Sequence, residues 1–235
     1  MRLFPAISLA LIFSAAELAS AQKTVTFPTE DGGVVFADLY APLHSPEKAP
    51  AERAVVLAHG GQFNKESWAK QAKVLADAGF EVLAIDFRGY GKSHGPGDAD
   101  PMGAPLKLDV LAAVHYLKAN GAKHISLVGG SMGGSAAGDA SIALPPGEID
   151  RVVMLGAAPN EPAEKLHTPT LWIVARDDTS GSGGPRLPGI RAQFEKAPEP
   201  KRLILLDGSA HAQFLFQTDQ ADRVMQEILH FLSAQ

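Results

Sequence analysis

The period of the hydropathy pattern changes several times along the chain. Over residues 24–41 apolar and polar positions alternate on either side of Asp31-Gly32-Gly33, which is the pattern of a β-hairpin with a tight connection. From residue 54 onward short, continuous apolar runs take over, at 54–58, 80–85, 124–128, 152–155, 170–175 and 203–206. Runs without alternation belong to strands buried on both faces of a parallel sheet. Between them the apolar positions recur at helical spacing. Trp68, Ala72, Leu75 and Ala76 precede Gly79, and Leu106, Val110, Val114 and Leu117 precede Gly121, so each set predicts an amphipathic helix stopped by glycine. Further helices are expected over 133–144, 189–195 and 219–233. Residues 44–52, rich in proline and charge, read as a surface loop, and 86–97 (DFRGYGKSHGPG) holds too much glycine for regular structure. Strands alternating with helices predict an α/β domain, with a mostly parallel sheet covered on both faces.

Composition narrows the function classes. A chain of 235 residues, 46% of them hydrophobic, fits one domain with a sizeable core. The net charge of −5 is spread over interspersed residues of both signs, and no basic block or aromatic-basic stripe points to nucleic acid. Cysteine is absent, which excludes a thiol nucleophile, a disulfide framework and thiolate metal sites. No ligand cluster with metal spacing is found, so neither metal nor organic cofactor is expected. The first 21 residues place Arg2 before an apolar run at 7–16 and end in Ala19-Ser20-Ala21. That order predicts a secretory signal peptide cleaved after Ala21, leaving a single domain over 22–235 that is secreted or periplasmic. Pro5 and Glu17 bracket a run shorter than the roughly 20 residues that a membrane span needs, so no anchor is expected after cleavage.

The candidate chemistry centres on residues 129–134, GGSMGG, directly after the apolar run 124–128. Ser131 has glycines two positions to either side, Gly129 and Gly133. GxSxG at a strand-to-helix junction predicts a sharp turn that holds the serine in a strained conformation and projects its hydroxyl from the sheet. In a glycine-rich chain the same spacing also suits a purely structural turn. A serine hydroxyl needs a base to take its proton, and histidine titrates in the right range. His211 follows the run 203–206 and so lies at the same sheet edge as Ser131; His44, His115, His124, His167 and His230 read as structural. Asp177 and Asp178 follow the run 170–175 at that edge too, and one of them is expected to hold the imidazole. The chain order Ser, Asp, His is that of nucleophile-elbow enzymes.

Five segments, HGGQ at 59–62, DFRGYGKS at 86–93, GGSMGG at 129–134, ARDD at 175–178 and GSAHA at 208–212, together resemble the α/β-hydrolase superfamily over about residues 24–233. The resemblance implies the α/β-hydrolase fold with Ser131, Asp178 and His211 as catalytic residues, Asp177 being the alternative acid. It implies an oxyanion hole from the backbone N–H groups of Met132 and Gly61, with Gln62 as the fallback for Gly61. Too few residues separate 155 from 170 for a large cap domain. The compact layout resembles the dienelactone hydrolases, although their cysteine nucleophile is missing. The implied activity is two-step acyl transfer on a small-molecule ester of modest size. A peptidase, a thioesterase and a non-catalytic binding protein of the same fold are the alternatives. The loop 179–188 is expected to shape the entrance. Phe63, Trp68, Phe214 and Phe216 are candidates to line an apolar acyl pocket, and Arg186 or Arg191 to meet an acidic substrate group.

Overall fold

The computed structural model describes residues 22–42 and 52–234. The leader expected at 1–21 and nearly all of the loop expected at 44–52 lie outside the described residues. A hairpin of β1 (Gln22–Pro28) and β2 (Val34–Tyr40) opens the domain. There follow β3 (Arg53–Ala58), a 3-10 turn (Lys65–Trp68), α1 (Ala69–Asp77), β4 (Glu81–Ile85), α2 (Lys107–Ala119), β5 (His124–Gly130) and α3 (Met132–Ala143). The chain continues through β6 (Arg151–Leu155), β7 (Thr170–Ala175), α4 (Leu187–Lys196), β8 (Lys201–Leu206), a 3-10 segment (Ala212–Gln217) and α5 (Ala221–Ser233).

The eight strands form one sheet in the order β1-β2-β4-β3-β5-β6-β7-β8. β2 runs antiparallel to both neighbours, and every pair from β4 to β8 is parallel. The continuous apolar runs are explained by the two layers they serve. Val56, Leu127, Val152, Met154 and Trp172 pack under α2, α3 and α4. Their alternate neighbours Val55, Val128, Val153, Leu171 and Ile173 pack under α1 and α5. Each face buries one residue in two, so the central strands are apolar at nearly every position, Ser126 in β5 and Thr170 in β7 being buried polar residues. Each fully buried Val, Leu or Ile contributes about 1.5–3 kcal/mol of transfer free energy, which makes the central strands the most costly place for substitution. β8, which pairs only with β7, begins two residues before the expected run, at Lys201. An edge strand has one side open to water and tolerates the polar residues Lys201 and Arg202 that hid its start.

Between β6 and β7 the chain makes only one short 3-10 turn, Ala163–Lys165, and among the described residues no cap domain covers the site. β5 runs two residues further than its apolar stretch, through Gly129 and Gly130, and α3 starts immediately after Ser131. The helix is built almost wholly of small residues, including Ala136, Ala137, Gly138 and Ala140, and is buried along most of its length. Its axis therefore lies close on the sheet, with its N-terminal end at the carboxyl edge of β5.

Candidate active site

Ser131 sits between β5 and α3 at φ 51°, ψ −120°, a conformation that costs a non-glycine residue of order 1–3 kcal/mol. The glycines around it are sterically required. A Cβ on Gly129 would stand 2.2 Å from the carbonyl oxygen of Gly133, and one on Gly133 2.3 Å from that of Ala58. The turn is pinned from outside by the Ser131 N–H, which donates to the Leu155 carbonyl at 2.9 Å.

His211 follows β8, and its Nε2 is 2.8 Å from Ser131 Oγ. Its Nδ1 is 2.7 Å from Asp178 Oδ2. A carboxylate can only accept, so Nδ1 carries the proton and Nε2 is left to accept from the serine hydroxyl. The structure distinguishes the two aspartates. Asp178 is fully buried, whereas Asp177 is exposed and its backbone N–H donates to the Gly208 carbonyl. The second oxygen of Asp178 is buried without a hydrogen bond, and Arg186 Nε lies 3.5 Å from it.

Gly61 lies beside the start of α3. A Cβ placed on it would be 3.7 Å from Met132 Sδ and 3.7 Å from the Tyr90 hydroxyl. The Tyr90 hydroxyl donates to the Gly61 carbonyl at 3.0 Å, which orients the peptide between Gly61 and Gln62. Among the described residues the Gly61 and Met132 N–H groups have no protein acceptor.

Three supporting residues escaped the sequence reading. His59, fully buried, donates from Nδ1 to the Gly60 carbonyl at 2.9 Å and accepts at Nε2 from the Phe87 N–H at 3.2 Å. A ring that accepts at one nitrogen is neutral, and burial pushes its pKa down to about 4. Gln213, 4% exposed, bridges the two loops of the site. Its Oε1 accepts from the Gly60 N–H at 2.6 Å and its Nε2 donates to Ser67 Oγ at 2.6 Å. Arg88 is buried too. It donates to Asp109 from Nε at 2.9 Å and from Nη2 at 2.7 Å, and to Asp31 from Nη2 at 3.1 Å. The Arg88 hydrogen bond holds the Asp31 carboxyl down at about 2. This network fastens the loop after β4 to the hairpin and to α2. The HG dipeptide at 59–60 was the only signal for His59; neither Gln213 nor the partners of Arg88 stand at any informative spacing.

Two cavities open on Ser131. The first, about 370 Å³, is bounded by Leu106, Lys107, Ser135, Asn160 and Arg186 among others. The second, about 330 Å³, is bounded by Gly61, Phe63, Tyr90, His211 and Phe214, and shares Met102 and Arg186 with the first. Of the four aromatics expected at a pocket, Phe63 and Phe214 line one, with ring centroids 4.8 Å apart. Trp68 and Phe216 instead pack against each other on the α1 and α5 side of the sheet. Arg191, exposed on α4, borders neither cavity. The loop 179–188 contributes Gly181 and Arg186 to the cavity walls. Among the described residues no group of three His, Asp or Glu side chains could hold a metal ion.

The family model for the alpha/beta hydrolase fold matches residues 53–219, which takes in β3 through the loop after His211. The chain belongs to the α/β-hydrolase family. Within that family it is 34% identical over 105 residues to an epoxide hydrolase of Caballeronia sordidicola, covering 44% of this chain and 30% of that protein. It is 30% identical over 131 residues to a bifunctional esterase/perhydrolase of Acinetobacter calcoaceticus, covering 56% and 44%. The chain thus spans less than half the length of these curated relatives. Among solved structures it superposes on an esterase of Pyrococcus furiosus with a TM-score of 0.71 at 19% identity, over 95% of this chain and 94% of that one. A likeness at that identity concerns the fold alone.

Proposed function

We propose that this α/β-hydrolase cleaves a carboxylic ester, or a related acyl compound, through an acyl-enzyme on Ser131. The observation that carries the reading is the continuous hydrogen-bonded line from Ser131 Oγ through His211 to Asp178, at 2.8 and 2.7 Å. Ser131 Oγ attacks the carbonyl carbon as His211 Nε2 takes its proton, and the carbonyl π electrons move to oxygen. The N–H groups of Met132 and Gly61 stabilise that oxyanion, each donor being worth about 3–4 kcal/mol in such holes. Asp178 stabilises the imidazolium without taking its proton. Collapse of the intermediate breaks the bond to the leaving group, which receives the proton from Nε2. Water then attacks the acyl-enzyme by the same route and frees the acid and Ser131.

The serine at the turn distinguishes this reading from chemistry that needs a carboxylate there. The site, over which the described residues place no cap domain, favours exposed esters of modest size over buried chains. The signal peptide expected at 1–21 places this activity outside the cytosol, secreted or periplasmic, and sequencing of the mature N-terminus should then begin at Gln22. The decisive test is intact-mass analysis after exposure to a fluorophosphonate, beside a Ser131→Ala control. One adduct, absent from the control, is expected. No adduct on well-folded protein overturns the reading and favours a non-catalytic binding protein; an adduct with turnover only of thioesters or peptides moves the substrate class.

A further inference from the structure

The two cavities at Ser131 differ in chemistry and in their relation to the base. His211 borders the second cavity and not the first. In the mechanism above the departing oxygen must receive its proton from His211 Nε2, so the alcohol half of an ester leaves on the side of the second cavity. The acyl half, still bonded to Ser131 Oγ, is directed into the first.

The walls match these halves to different groups. On the alcohol side stand Phe63 and Phe214, ring against ring at 4.8 Å. On the acyl side the polar groups divide into satisfied and unsatisfied ones. Asp139 is 7% exposed, and its oxygens accept from Asn160 Nδ2 at 2.8 Å and from the Glu161 N–H at 2.9 Å. Arg186 uses only Nε, which donates to the Thr179 carbonyl at 3.1 Å. Among the described residues its two terminal nitrogens have no acceptor. Lys107 Nζ comes no closer than 4.0 Å to Glu161 Oε1, beyond hydrogen-bond length. The two side chains are 31% and 40% exposed. Arg186 borders both cavities and Lys107 only the first, so the first cavity offers a ligand two cationic donors above an apolar wall of Leu106, Met132 and Ala157, and the second offers one beside its aromatic pair. A guanidinium fork with both terminal nitrogens free suits a carboxylate, which it can bind in two parallel hydrogen bonds.

Resting on the reading of Ser131 as the acylated nucleophile, we propose that the substrate is a half-ester of a dicarboxylic acid. Its free carboxylate, at the far end of the acyl chain, is held by Arg186 and Lys107, and its alcohol is apolar and packs against the wall formed by Phe63 and Phe214. The aromatic pair then serves the alcohol rather than the acyl group for which sequence alone suggested it.

The test compares three esters in the purified full-length protein: monobenzyl adipate, benzyl hexanoate, and 4-carboxybenzyl hexanoate. The first two differ only in a carboxylate for a methyl at the acyl end, and the third moves the charge to the alcohol. Monobenzyl adipate should exceed benzyl hexanoate in kcat/KM by about ten-fold or more, the range of a charge-assisted hydrogen-bonded pair, and 4-carboxybenzyl hexanoate, whose charge meets Arg186 without Lys107, should fall well below the adipate. The same ratio is then measured in Arg186→Gln, Arg186→Lys and Lys107→Gln, where any general loss of activity cancels within each variant. Arg186→Gln should bring the adipate-to-hexanoate ratio close to one, Arg186→Lys should retain part of it, and Lys107→Gln should lower it by a smaller factor. A wild-type ratio within two-fold of one, a preference for the charge on the alcohol, or a ratio that survives both Arg186→Gln and Lys107→Gln would overturn the proposal. If Ser131 takes the fluorophosphonate but none of the three esters turns over, the half-ester assignment falls and the serine-hydrolase reading stands. If Ser131 takes no fluorophosphonate, that reading falls first.

Discussion

Gln213→Leu isolates the tether between the two loops that frame Ser131. The wild-type amide is 4% exposed and joins Gly60, next to Gly61, to Ser67 and to the segment that follows His211. Leucine keeps most of the volume but can accept nothing. The Gly60 N–H, buried with its residue, then has no partner, at a cost of about 1–3 kcal/mol, and the lost bond to Ser67 adds about 0.5–1.5 kcal/mol. A total near 2–4 kcal/mol corresponds to a fall in Tm of roughly 4–16 °C for a domain of this size. The loop that loses its anchor presents the Gly61 N–H, so kcat should drop toward the roughly 10²–10³-fold cost of one oxyanion donor, with KM changing much less. Urea unfolding followed by the fluorescence of Trp68 and Trp172, alongside steady-state ester hydrolysis, measures both effects. Ser67→Ala is the control, because it leaves Gln213 Oε1 on the Gly60 N–H while removing the outer bond and the Ser67 hydroxyl's own bond to the Asn64 carbonyl; it should cost about 1–2 kcal/mol with kcat retained. Stability within about 0.5 kcal/mol of wild type, together with an unchanged kcat, would refute the tether.

Three further outcomes are expected. Asp178→Asn should reduce kcat by about four orders of magnitude, because an uncharged amide that can donate to His211 Nδ1 favours the wrong imidazole tautomer and no longer stabilises the imidazolium, while Asp177→Asn, at an exposed position, should stay within a few-fold of wild type. Arg88→Met leaves Asp31 and Asp109 without their shared cation and should destabilise by about 3–5 kcal/mol in urea unfolding, the cost of breaking a buried ion pair from one side. His59, with its pKa pushed down from 6.5 to about 4, binds a proton in the unfolded chain before it does so in the folded one. Its contribution is complete above pH 6.5 and is lost as pH falls toward 4, a loss of about 3 kcal/mol; stability measured at pH 7 and pH 4 should fall less in His59→Gln than in wild type.

Much of this protein was legible in local pattern, because that is where its causes are local. A strand buried on both faces is apolar at almost every position, which is why 54–58, 124–128 and 170–175 could be read as central strands despite Ser126 and Thr170 within them. The turn at Ser131 needs glycine at 129 and 133 because backbone atoms come within 2.2–2.3 Å of where a Cβ would be, and that demand is written at fixed spacing. Chain order then brought Ser131, the aspartate pair and His211 to one edge of the sheet. The remainder depended on contacts between residues distant in sequence, which no local period encodes. Asp177 and Asp178 are chemically alike, and only the path of the chain after β7 buries one against His211, 33 residues away, while the other meets water. Gln213 reaches Gly60 across 153 residues and Arg88 reaches Asp31 across 57; both pairings exist because β4 lies outside β3 in the sheet and the loop after β8 folds back over the end of β3. Whether an aromatic side chain packs in the core, as Trp68 does, or borders the cavity, as Phe63 does, is decided in the same way, since both are apolar and lie five residues apart. Residue types and spacings determine which chemistry is possible at Ser131; the packing of distant segments decides which neighbours surround it and what charge they present.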